Sequence, residues 1–192
     1  MAAAIDLVQI REKNLSARIL YQLATSAAAI TGGSATKLLV NDRSDIAFAA
    51  GGDGVHLTTH SLRTEVVRGT FGEEFLIGVS THSLTEAIAA RRNGADFVVL
   101  GPVFETPSKN EYGEPLGLSS LAQVASELSP LPVLALGGLE MSKVADCIKA
   151  GAAGVAAIRM FSDPDRLSDV VKNIHEKFSR DGRHSSSSEF KL

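Results

Sequence analysis

Three stretches share one grammar: "AAGGDGV" at 49–55, "RRNGADFV" at 91–98 and "KAGAAGV" at 149–155. Each closes an alanine-rich amphipathic segment with glycine and enters an apolar run a few residues later. Glycine just past a helix is the usual left-handed stop, because without a Cβ it meets no steric penalty there. The repeated unit is therefore helix, stop, strand. Units of this kind in series give parallel strands joined by helices, and their closed form is the TIM (β/α)8 barrel.

The apolar runs with strand character are LVQI (7–10), LLV (38–40), GVHL (54–57), FLIGV (75–79), FVVL (97–100), PVLAL (132–136) and GVAAI (154–158). Between them lie helix candidates such as SARILYQLATSAAAI, SDIAFAAG, SLTEAIAARRNG, SSLAQVASELS and MSKVADCIKAG. Seven strands are one short of a closed barrel. The gap falls most easily at the front, where LVQI begins almost at Met1. The expected fold is α/β, a TIM-type barrel lacking its first βα unit, and such an opening exposes a strand edge. One domain over 1–178 is expected, followed by a disordered polar tail over 179–192, "SRDGRHSSSSEFKL".

Composition narrows the function classes. A net charge of −3 offers no footprint for nucleic acid, and 5% aromatics without Trp leave little for base stacking. No run approaches the roughly 18 apolar residues of a membrane span, and the start lacks the pattern of a signal peptide. The single cysteine, Cys147, cannot form an internal disulfide, so a reducing cytoplasm is expected. Small-molecule partners are favoured over nucleic acid or membrane, and a homo-oligomer stays open.

In a barrel of this kind the C-terminal strand ends and the loops after them carry the chemistry. Those ends supply Gln9, Arg11 and Lys13; Asn41 and Asp42; Ser80, Thr81 and His82; Gly101 through Lys109; Gly137 and Gly138; Ile158 and Arg159. One such residue alone is an ordinary solvated loop position. Together they repeat cations, small hydroxyls and glycines, the inventory for oxyanions and phosphates. The loop "GPVFETPSKNEYGEPLG" is the longest connection, and Thr106, Ser108 and Lys109 place two hydroxyls and an ammonium in it. His56 reads as an oriented core or mouth residue, His82 as a support for the Ser80 loop, and Cys147 as a core thiol. The spacing of His56 and His60 suits a helical zinc pair, but it falls on a strand end. The glycine turns lack the strand–GxGxxG–helix context of a dinucleotide fingerprint.

The segments "VQIREKNLSAR", "VNDRSDIA", "GDGVHL", "IGVSTHSLTEA", "GPVFETPSK" and "LALGGL" resemble, in order and spacing, the thiamine phosphate synthase family with its TenI-like thiazole tautomerase branch. The resemblance runs from about Asp6 to Phe161. It implies a transferase that joins hydroxymethylpyrimidine diphosphate to thiazole phosphate and expels pyrophosphate, with Mg²⁺ as cofactor. By the same resemblance Gln9, Arg11 and Lys13 grip the pyrimidine diphosphate, and Asn41 meets the pyrimidine. Asp42 is a magnesium ligand, and Ser80 and Lys109 meet the diphosphate as the catalytic pair. Thr106, Ser108 and Gly138 serve the thiazole phosphate, with Ile158 and Arg159 ending the last strand beside it.

Two positions depart from the synthase pattern. A second acid that would bind magnesium is replaced by Ser61, and a phosphate-binding serine at the last strand is replaced by Arg159. The tautomerase branch carries a catalytic histidine where this chain has Pro102. The alternatives to a synthase are therefore a TenI-like tautomerase and a non-catalytic protein that binds thiazole phosphate or thiamine phosphate.

Overall fold

The computed structural model describes residues 5–106 and 114–180. These group into two compact bodies, one of residues 5–80 with 93–96, the other of 81–92, 97–106 and 114–180.

The first body is a parallel sheet in sequence order, β1 (Leu7–Ile10), β2 (Lys37–Asn41), β3 (Gly54–Leu57) and β4 (Leu76–Thr81), whose last residue is grouped with the second body. Its helices are α1 (Ala17–Thr31), α2 (Ser44–Ala49) and α3 (Thr64–Phe71). The register pairs Ile10 with Val40, Asn41 with His56, and His56 with Gly78. Ser16 caps α1 by accepting the Ile19 N–H. Leu20 and Ala24, one turn apart, turn that helix onto Val40, Val55, Leu57, Val67, Phe75 and Ile77. Each large side chain so buried contributes about 2 kcal/mol.

The second body holds β5 (Phe97–Leu100), β6 (Val133–Leu136) and β7 (Gly154–Ala156), again parallel and in order. Its helices are α4 (Leu84–Arg92), α5 (Gly117–Leu128), α6 (Met141–Lys149) and α7 (Pro164–Arg180). Val144 and Ile148 of α6 pack on Ile174 and Phe178 of α7.

The repeated grammar has one structural meaning. Gly51, Gly94 and Gly151 all sit at positive φ, between 74° and 97°. Two residues later Asp53, Asp96 and Ala153 each donate a backbone N–H to the preceding strand, at Leu38 O, Ile77 O and Val133 O, each at 2.9 Å. Where that residue is aspartate, its carboxylate also takes a strand N–H, from Leu38 at 2.8 Å or Ile77 at 2.7 Å.

All seven expected strands are present, with shifted ends. Ser80 and Thr81 lie inside β4 rather than after it, and β7 stops at Ala156, so Ile158 follows the strand and Arg159 opens a 3-10 turn (Arg159–Phe161). Helices α3 and α7 were not among the helix candidates. In α7, Pro164 opens the helix, Asp163 Oδ1 accepts the Asp165 N–H, and Val171, Ile174 and Phe178 recur at helical spacing. The polar tail expectation concerns residues of which 181–192 lie outside those described.

Candidate active site

In the first body the sheet is parallel, so Gln9, Asn41 and Ser80 all come from the same end of their strands. Gln9 and Asn41 are joined, Gln9 Nε2 donating to Asn41 Oδ1 at 3.0 Å. That bond uses one face of each amide and leaves the Asn41 amino group as a donor.

Asp42 leaves β2 at φ 70°, and no other non-glycine among the described residues has positive φ. This conformation costs about 1 kcal/mol even for aspartate, which tolerates it better than most. Its N–H donates to His56 O at 2.9 Å, which fixes the turn. Its exposed carboxylate accepts the hydroxyl of Ser61. Ser61 Oγ in turn accepts the Thr58 N–H at 2.7 Å. Ser61, the residue expected to stand in for a second acid, thus holds the Asp42 carboxylate in place. Arg43 turns away, its guanidinium bidentate on Asp45 at 2.9 and 2.7 Å. That hydrogen bond raises the arginine pKa and lowers the carboxylate's.

His56 lies in β3, 7% exposed, with Nε2 2.9 Å from Ser80 Oγ. Burial first, then the positive charge of Arg11, pushes its pKa down to about 4. The ring is neutral at ordinary pH. The histidine that meets the Ser80 hydroxyl itself is thus His56. His82 instead sets Nδ1 against Gly101 O, while its backbone N–H donates to Glu86 Oε2 at 2.7 Å. Lys13 and Arg11 follow β1 as exposed cations.

In the second body the β5 loop and the β6 turn are tied together: Val103 N–H donates to Leu136 O at 2.8 Å and Phe104 N–H to Gly137 O at 3.2 Å. Gly138, at φ 60°, lies so near this loop that a Cβ there would fall 2.2 Å from Glu105 O. Glycine is required for that approach. Lys143 Nζ donates to Gly138 O at 3.0 Å and rides 4.9 Å above the Phe104 ring. Lys143 was no part of the sequence expectation, because a lysine at the start of a helix carries no signal of what it reaches back to. Thr106 is half-buried in the same loop; Ser108 and Lys109 lie outside the described residues. Ile158 is 75% exposed and Arg159 exposed, so both present side chains to solvent beyond β7.

Among the described residues no three His, Cys, Asp or Glu side chains gather to hold a metal. Mg²⁺ commonly binds through one or two carboxylates plus substrate phosphates, so a single exposed carboxylate in a fixed turn fits it, as a weak site.

A family model described as thiamine monophosphate synthase matches residues 1–161. The chain belongs to that family. A thiamine-phosphate synthase from Methanoculleus marisnigri is 42% identical over 93% of this chain and 84% of its own length. A thiamine phosphate pyrophosphorylase structure from Pyrococcus furiosus matches with a TM-score of 0.80 at 27% identity, over 92% of this chain and 84% of that one. A 3-hexulose-6-phosphate synthase structure matches at TM-score 0.66 and 18% identity over 91% of this chain and 87% of that one, a likeness of fold alone. The barrel-type α/β class expected from the repeat is that of the family.

Proposed function

We propose that the chain is a thiamine-phosphate synthase, a transferase joining hydroxymethylpyrimidine diphosphate to thiazole phosphate with release of pyrophosphate. The observation that carries this reading is the strand-end set of the first body, Gln9 on Asn41 and Asp42 held at positive φ beside Ser61, in a member of that family.

Asn41, oriented by Gln9, holds the pyrimidine. Arg11, Lys13 and Lys109 supply cations to the diphosphate and Ser80 a hydroxyl donor. The C–O bond to the diphosphate breaks with its electron pair going to pyrophosphate, leaving a cationic methylene on the pyrimidine. The thiazole nitrogen lone pair then forms the C–N bond, so no strong general base is required. Charge growing on the departing oxygens is what these donors stabilise. Asp42 would hold Mg²⁺, which when bound neutralises part of the same charge. Thr106, Ser108 and Gly138 take the thiazole phosphate, with Ile158 and Arg159 flanking it and Arg159 adding a cation. The phosphorylated precursors are the only partners this needs. No helix among the described residues is long and apolar enough to cross a membrane, and the lone buried thiol suits a reducing cytoplasm.

The test is to mix both substrates with Mg²⁺ and the full chain and look for thiamine phosphate. Its formation supports the synthase. Metal-independent interconversion of thiazole tautomers would select the tautomerase, and saturable binding without product the non-catalytic binder.

A further inference from the structure

Ser80 has one hydroxyl hydrogen and its oxygen lies 2.9 Å from His56 Nε2, so one of the two groups donates to the other. The direction matters to any anion. If Ser80 donates to the ring, only its lone pairs remain, and these repel a phosphate oxygen. If the ring donates, the serine hydrogen is left for a ligand. We propose that His56 is a positioning residue: its Nε2–H donates to Ser80 Oγ and thereby turns the serine hydrogen toward a bound diphosphate oxygen. The inference rests on the reading of Ser80 as a diphosphate contact.

Three observations make His56 suited to this. It sits in β3, where all four residues are buried, so the ring cannot swing away. Its backbone is held on both sides, by register with Asn41 in β2 and Gly78 in β4. Its carbonyl accepts the Asp42 N–H, so one strand residue steadies both the acid and the hydroxyl. A neutral imidazole carries one N–H, so the polarity is a defined choice of tautomer. A buried donor aimed at the serine also restricts a hydroxyl that would otherwise rotate freely, which conserves orientation at the reacting group.

The experiment has two arms on the full chain. Nitrogen-15 NMR of the histidine rings reads the tautomer; His56 is one of five histidines, and its signals are assigned by their loss in His56→Gln. The expected result is the Nε2–H tautomer, and the Nδ1–H tautomer overturns the proposal. In the second arm kcat and KM for the pyrimidine diphosphate are measured for wild type, His56→Gln and His56→Leu, alone and with Ser80→Ala. Glutamine keeps a donor near the place of Nε2, so it should stay within a few-fold of wild type while leucine loses about tenfold in kcat/KM. With Ser80→Ala the two His56 variants should become equal. Equal losses for glutamine and leucine with Ser80 present, or a difference that survives Ser80→Ala, would also overturn it. If wild type makes no thiamine phosphate, the synthase reading falls, and the tautomer alone decides the polarity of the His56–Ser80 bond.

Discussion

Asp42 combines two roles that pull apart. Its φ of 70° is the glycine-favoured region, yet its carboxylate is the one acid at that strand end and is held by Ser61. Replacing it by glycine relieves the backbone, while alanine keeps the strain and loses the carboxylate just the same. Asp42→Gly should therefore be more stable than Asp42→Ala by about 1 kcal/mol in urea unfolding, with thiamine phosphate formation sharply reduced in both. Equal stabilities would mean the turn carries no strain. The neighbouring serine gives a second test. Ser61→Asp adds an oxygen ligand beside Asp42 and should lower the Mg²⁺ concentration needed for half-maximal rate, whereas Asp42→Asn should raise it. Full turnover by wild type in excess chelator would remove the metal from this site.

His56 also makes stability depend on pH. Its pKa is 6.5 when unperturbed and about 4 in the folded chain. Between those values the unfolded chain binds the extra proton, so stability falls as pH drops from about 6.5 to about 4 and levels off below that. A shift of that size corresponds to about 3 kcal/mol at most. His56→Gln has no such proton to take up. The urea-derived stability loss between pH 7 and pH 4.5 should be smaller in His56→Gln than in wild type; parallel losses would contradict the depressed pKa.

At the scale of elements, the two aspartates after the glycine stops are strand-start clamps of unequal depth. Asp53 pairs with Lys37, with 30% and 39% of their side chains exposed. Asp96 pairs with Arg68, whose side chain is 11% exposed and also donates to the carbonyls of Gly94, Gly72 and Phe75. Removing Arg68 leaves those carbonyls without its N–H groups and the half-buried Asp96 carboxylate with the Ile77 N–H but no cation, whereas the lysine is close to solvent. Arg68→Ala should cost about 3 kcal/mol and Lys37→Ala less than about 1 kcal/mol, both read from urea midpoints. Comparable losses would show that the clamp's depth is irrelevant. The third copy, Ala153, keeps only the backbone bond, so the stop and the strand bond are the invariant part of this repeat and the carboxylate an addition.

At the scale of the whole molecule, Cys147 is a built-in reporter. It is fully buried in α6, and burial followed by the charge of Asp146 pushes its thiol up to about 11. Little thiolate forms at neutral pH, and none is reachable. Iodoacetamide should leave Cys147 unmodified in the native protein and alkylate it across the same denaturant range in which tertiary structure is lost. Rapid alkylation without denaturant would place the thiol outside the core.

The sequence by itself determined the alternation of strand and helix, because the glycine stop is a local steric requirement and needs no knowledge of what packs where. It also pointed to the strand ends as the proposed place for anion chemistry, and the family motifs supplied the residues of that proposal. What it left out were contacts set by register. His56 and Ser80 are 24 residues apart, and their meeting depends on His56 facing Gly78 across β3 and β4. A one-residue slip would turn either side chain to the opposite face. Ser61 reaching Asp42 likewise depends on where a loop lies, whereas Lys143 reaches Gly138 only five residues back, through the turn that leads into α6. Helix α3 was missed although the shorter α2 was read: in TEVVRGTF the apolar residues are Val66, Val67 and Phe71, and Gly69 and two threonines break the alanine-rich pattern that marks the other helices. Periodicity and stops are short-range physics and can be read along the chain. Tautomers, donor directions and which acid a serine steadies are decided only when distant backbone segments are brought to hydrogen-bond distance.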